Sequence, residues 1–227
     1  DFSETSRVVT LLTPDRGRLV VMAKGARRKN SPLASALDAM NRVALVYHWK
    51  AGRAVQLLTE AALLDGYGGI KSKLERSAYA AFPLELTLKV AHEEEPSAAL
   101  YAALVRGLES LACWEGDARA HACWQVLQLL DAAGFSPVTD RCAECSGMLA
   151  GHPVFFRLHA GLCCADCGGG TRLEVATTAA LRELARGHMA CPPVDAGPEL
   201  FRLLRDFAAH QLDTDFRSVR VLEDMFE

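Results

Sequence analysis

The chain has 227 residues, 25 Lys or Arg against 28 Asp or Glu, and half of it is apolar. That balance excludes a disordered polyelectrolyte and a collagen-like chain. No run approaches the roughly 18 uncharged apolar residues of a membrane span, so no membrane association is expected. The net charge of −3 hides a split: residues 1–57 hold ten basic and four acidic side chains, and the remainder is correspondingly acidic. Such asymmetry points to a polyanion-binding head on an acidic body.

In chain order, Arg7–Thr13 is short and β-branched, Pro14-Asp15-Arg16-Gly17 is a turn, and a second strand runs from Arg18 to Lys24. The pair predicts a hairpin. Lys24-Gly25-Ala26-Arg27-Arg28-Lys29 follows. With Arg16 and Arg18 across the hairpin, and Arg7, it reads as one basic edge able to neutralise phosphates. A short basic run alone is as often a solvated loop, and the charge split favours the binding reading. From Val43 to Trp49 the alternation is clean, which assigns Val43, Leu45, Tyr47 and Trp49 to the core face. Few aromatics then remain for stacking bases, so binding should be electrostatic, salt-dependent and indifferent to base sequence. Ala51-Gly52 turns the chain into a strand at Arg53–Leu58. Several strands with tight turns predict a small closed barrel over residues 1–66, ended by the glycine-rich joint Asp65–Gly69.

Residues 67–140 and 171–227 read as an all-helical body, so the class is α+β. Leu74, Ala78, Ala81 and Phe82 suggest a helix that Pro83 should kink or end. Helical spacing recurs at Tyr101–Leu111 and at Cys123–Ala133, with Gly134 as the stop of the latter. Thr177 or Thr178 is the expected cap of a later helix, and Pro198 the expected first residue of another.

Residues 141–170 form the expected metal module. Cys142-x-x-Cys145 and Cys164-x-x-Cys167 are two chelating knuckles eighteen residues apart. Four thiolates give zinc a closed tetrahedral shell with no open position, so one structural zinc per chain is expected. The metal would stabilise a loop-rich stretch, Ser146–Gly161, with little apolar material of its own. Disulfides, a redox C-x-x-C and a zinc deaminase are the competing readings. The deaminase would use His92-Glu93-Glu94, with Glu94 as proton shuttle, but Arg141 stands where its motif has proline and the second knuckle has no role. Cys163, His152 and His159 are substitute ligands; Cys164 is preferred because it makes the knuckles equivalent. Cys113, Cys123 and Cys191 are isolated, and Cys123 reads as a core residue. Gly168-Gly169-Gly170 reads as a flexible exit and Glu93-Glu94-Glu95 as a solvated loop. No phosphate loop, nucleophile elbow or H-E-x-x-H is present, so no enzyme is expected. A zinc-ribbon adaptor between proteins, with an incidental basic loop, is a further alternative.

Ser3-Glu4-Thr5-Ser6-Arg7, Asp15-Arg16-Gly17-Arg18, Ala23-Lys24-Gly25-Ala26-Arg27-Arg28 and Ser31-Pro32-Leu33 together resemble the opening of the bacterial recombination and repair family RecO. Leu84-Glu85-Leu86, Gly134-Phe135-Ser136-Pro137, Ala160-Gly161-Leu162 and Phe216-Arg217-Ser218-Val219-Arg220 extend the resemblance along the chain. It implies an N-terminal OB-fold, a helical body and a zinc module held by Cys142, Cys145, Cys164 and Cys167. It further implies binding of single- and double-stranded DNA through Arg16, Arg18, Lys24, Arg27, Arg28 and Lys29, annealing of complementary strands, and recombinational repair with RecR and single-strand-binding protein in the bacterial cytoplasm at the nucleoid.

Overall fold

The computed structural model describes residues 5–149, 151, 153–188 and 196–226. The expectations placed on Phe2, Ser3, Glu4, His152 and Cys191 lie outside the described residues. Strands β1 (Arg7–Thr13) and β2 (Gly17–Ala23) form the expected antiparallel hairpin. A short helix α1 (Pro32–Ala36) leads to β3 (Arg42–His48), which pairs antiparallel with β4 (Gln56–Asp65). β4 starts three residues later than expected: Arg53 belongs to the turn that Gln56 closes, the Gln56 side chain accepting from Lys50 N at 2.9 Å and donating to Arg53 O at 2.7 Å. Val21–Ala23 runs parallel to Gln56–Leu58, giving the order β1-β2-β4-β3.

Among the described residues the sheet has four strands and does not close into the expected barrel. β1 and β3 are its edges, and no ladder joins them among the described residues. Closure fixes strand number, tilt and stagger together, and four strands of seven to ten residues leave a gap. Both edges line an apolar cavity of about 600 Å³ backed by Leu84, Tyr101 and Leu104 of the body. Leu19, Val21, Ala23, Ala26, Leu37 and Leu58 form the sheet's own small core, with Leu45, Tyr47 and Trp49 half-buried against it.

The sheet docks on the body at Gly17. Its φ is +64°, and an added Cβ would lie 2.3 Å from the Glu95 carbonyl and 2.4 Å from that of His92, so only glycine fits. Arg18 N donates to His92 O at 2.9 Å beside it. The Glu93–Glu95 loop is exposed, as expected, and its backbone also forms half of this junction.

The body comprises α2 (Gly68–Lys71), α3 (Leu74–Val90), α4 (Ala98–Cys113), α5 (Ala118–Ala132), α6 (Val175–Ala185), α7 (Ala196–Leu212) and α8 (Arg217–Phe226). α5 is the central helix, burying residues around most of its circumference against α3, α4, α6 and α7. Gly134 N bonds Asp131 O at 3.0 Å and closes α5 as expected. Pro83, by contrast, neither ends nor splits α3. Phe82 and Leu86 on either side of it are fully buried, and that packing outweighs one missing amide. Thr177 and Thr178 lie inside α6, whose cap position is Glu174, and α7 begins two residues before Pro198. Both threonines are buried, and Thr178 Oγ1 satisfies itself on Glu174 O at 3.0 Å.

Between α5 and α6 the chain forms a three-stranded sheet in the order β6-β5-β7, from β5 (Val154–Arg157), β6 (Gly161–Cys163) and β7 (Thr171–Leu173). This corrects the picture of a loop-rich insert poor in apolar material. Within Ser146–Gly161, Val154 and Phe156 are buried and belong to the core of the body, as do Leu162 and Leu173 beyond it. Phe156 meets Phe207 of α7 edge-on, with ring centroids 5.7 Å apart. The glycine run is not a loose exit either, because Gly169 packs on the Arg157 guanidinium.

Candidate nucleic-acid interface and metal centre

The basic loop leaves the end of β2. Buried Ala26 anchors it, and backbone bonds from Arg27 N to Thr5 O and from Arg28 N to Gly25 O, each 3.0 Å, fix its course. Lys24, Arg27, Arg28 and Lys29 are all exposed. None forms an ion pair among the described residues, whereas Arg18, Arg42 and Lys71 pair with Glu93, Glu109 and Asp38. Lys24, Arg28 and Lys29 line an open cleft of about 530 Å³ with Thr59 and Glu60. Arg7 faces Ala23 in the ladder and so adjoins this end.

The expected single basic edge divides in two. Arg16 and Arg18 sit at the opposite end of β2, and six residues of strand, about 20 Å at roughly 3.3 Å each, separate Arg18 from Lys24. Arg18 holds the sheet to the body, donating to Leu88 O at 3.3 Å and pairing with Glu93 at 3.5 Å. The Arg16 guanidinium lies 4.4 Å from the Trp49 ring centroid, a cation–π contact between the hairpin turn and the strand beyond the gap.

The thiolate cluster is compact. Ligand sulfurs of Cys142, Cys145, Cys164 and Cys167 lie within 4.8 Å of one another, with Cys145 and Cys164 3.8 Å apart. Zinc–sulfur bonds of about 2.3 Å put tetrahedral ligands roughly 3.8 Å apart, so spacing and donor set are compatible with a zinc site. Backbone amides aim at the sulfur of Cys142, including Cys164 N at 3.4 Å, and lower its pKa to about 6. Cys167, crowded by the thiols of Cys164 and Cys145, is pushed up to about 12. Sulfurs this close resist joint ionisation unless a cation sits among them. Cys163 ends β6 with its sulfur buried, and burial raises its pKa, so it stays a neutral thiol outside the quartet. His159 faces Glu144 at 3.4 Å. No histidine or carboxylate joins the quartet among the described residues, which leaves the His92–Glu94 loop at the sheet junction and the deaminase reading without its shuttle.

Sequence reasoning passed over several anchoring side chains. Arg76, buried, donates to Gly69 O and Ala112 O at 3.0 Å each and to Trp114 O, tying α2 to the end of α4. Glu85 accepts from Arg217 N, Ser218 N and Ser218 Oγ, and thereby caps α8. Two of the segments that carry the family resemblance thus meet. Periodicity gives no sign of such contacts, and those of Glu85 span more than 130 residues of chain.

A basic β-sheet, a helical body and four clustered cysteine thiols together define an α+β protein whose quartet is compatible with a metal site of the structural kind. Comparison narrows the class: residues 1–67 match the family described as Recombination protein O N terminal, and residues 71–220 match Recombination protein O C terminal. The chain belongs to the RecO family. Among similar proteins, the DNA repair protein RecO of Anaeromyxobacter sp. (strain K) is 30% identical over 99% of this chain and 92% of its own. Those of Roseiflexus sp. (strain RS-1) and Myxococcus xanthus (strain DK1622) are also 30% identical, covering 99% and 96% of this chain and 82% and 91% of theirs.

Proposed function

We propose that this chain acts in recombinational DNA repair by holding DNA through its phosphates and annealing complementary strands, without making or breaking a covalent bond. One observation carries the reading: four exposed cations, Lys24, Arg27, Arg28 and Lys29, sit on one loop with no carboxylate partner among the described residues. Arg18, Arg42, Lys71, Arg76 and Arg157, by contrast, are committed to acids or backbone carbonyls. Strands repel one another, and a surface that neutralises their phosphates lowers the barrier to their meeting. Four side chains on one short loop suit either single or double strands.

The sheet supports an OB-fold reading in its parallel β2–β4 pair, in the helix between β2 and β3, and in two unpaired edges facing one cavity. A fifth strand laid between β1 and β3 would complete the five-stranded barrel. In the metal module, Cys142, Cys145, Cys164 and Cys167 would hold one zinc ion, which when bound supplies structural cross-linking and charge balance. RecR and single-strand-binding protein are the partners that family membership suggests, with the bacterial cytoplasm as the compartment.

The test is strand annealing. Two complementary labelled oligonucleotides are mixed with the full chain at low and at high salt. Acceleration at low salt that fades at high salt is the expected result. No acceleration at either salt contradicts the annealing role.

A further inference from the structure

We infer that Arg157 is a positioning residue for the metal centre, a clasp that holds the two cysteine knuckles at ligand spacing. The inference rests on the metal reading above. Arg157 ends β5, in neither knuckle, yet its guanidinium reaches both. Nη1 donates to Glu144 Oε1 at 2.7 Å, and Glu144 lies between Cys142 and Cys145. Nη2 donates to Cys167 O at 3.1 Å and to Gly168 O at 2.7 Å, and Nε to Gly168 O at 3.1 Å. One planar fork therefore spans the first knuckle's side chain and the second knuckle's backbone. Lysine, with a single nitrogen, cannot reproduce that reach.

The surroundings are shaped to the fork. Gly169 has φ +78°, and an added Cβ would lie 2.9 Å from Nη2, so any side chain there displaces the guanidinium. His159 Nε2 lies 3.4 Å from the same Glu144 oxygen. A divalent ion with four thiolates carries two net negative charges, and Arg157 brings a cation to both knuckles. Its role is distinct from ligation, because the four sulfurs already complete a tetrahedron. It sets how well they are placed before the ion arrives, the function that outer partners serve in metal sites generally.

The experiment uses the full chain with zinc, measuring affinity by competition with a chromogenic chelator and ligand identity from the absorption of the cobalt-substituted protein. Arg157→Gln, Arg157→Lys and Gly169→Ala are each expected to weaken zinc binding tenfold or more. The four-thiolate cobalt spectrum should persist at saturation in all three. Failure of Arg157→Lys to rescue separates the fork from mere charge, and Gly169→Ala keeps the test alive if an Arg157 variant does not fold. Affinity within twofold of the parent in the folded variants overturns the clasp, as does wild-type affinity in Arg157→Lys alone. Lower thermal stability with unchanged chelator competition would mark Arg157 as a packing residue and also overturns it. A parent chain that takes up no zinc overturns the metal reading itself, an outcome separate from the others.

Discussion

His121 shows how a single residue ties this body to a pH window. It is fully buried between Trp114 and Trp124, with Nε2 3.1 Å from Ser110 Oγ. Burial, reinforced by the charge of Arg76, lowers its pKa to about 4. The imidazole is therefore neutral when folded and takes up a proton near pH 6.5 when unfolded. A depressed pKa means the stability is intact above about pH 6.5 and declines as pH falls through 4, by about 3 kcal/mol in all. Urea midpoints should fall across that window, and His121→Leu should flatten the profile; an equally steep decline in that variant would contradict the account. Glu85 works in a complementary way. Burial opposes its charge, but bonds from Ser218 and Arg217 outweigh that and hold its pKa below the usual carboxylate range. Glu85→Ala should cost about 1–2 kcal/mol. Hydrogen exchange should quicken first in residues 217–226, and unchanged protection there would remove the capping role.

At the scale of elements, local patterning was legible and tertiary override was not. The β1–β2 hairpin, the α5 stop at Gly134 and the change from strand to helix after Asp65 were readable because each is written in turn chemistry or a local period. Pro83 misled because the contacts of Phe82 and Leu86 that carry α3 through it come from distant helices. Thr177 misled because a cap and a buried hydroxyl look alike in sequence. The cysteine quartet was legible from spacing, but not Arg157, whose partners lie ten to thirteen residues away across a turn. Phe156 packing on Phe207 makes a prediction at this scale. Cys142→Ser combined with Cys167→Ser should abolish zinc uptake and raise hydrogen exchange in β5–β7 and the facing stretch of α7, while β1–β4 keep their protection. Full zinc retention would remove the quartet from the argument, and equal loosening of β1–β4 would show that the cores are not separate.

Across the whole molecule, the charge split was visible in sequence, but its geometry was not. A strand seven residues long, β2, carries the two halves of the expected basic edge to opposite ends. It leaves one end exposed, without an ion pair among the described residues, and commits Arg18, at the other, to the junction with Glu93. This separation makes the central claim sharp, because cations of equal charge on one strand should differ in effect. The direct measurement is the salt dependence of binding to labelled single strands of several sequences. Four neutralised phosphates give a slope of log affinity against log salt near −2.8, and Arg27→Glu with Arg28→Glu should at least halve it and weaken every sequence alike. Arg18→Gln should leave the slope in place. An unchanged slope in the double variant, or a loss confined to particular sequences, would contradict the account.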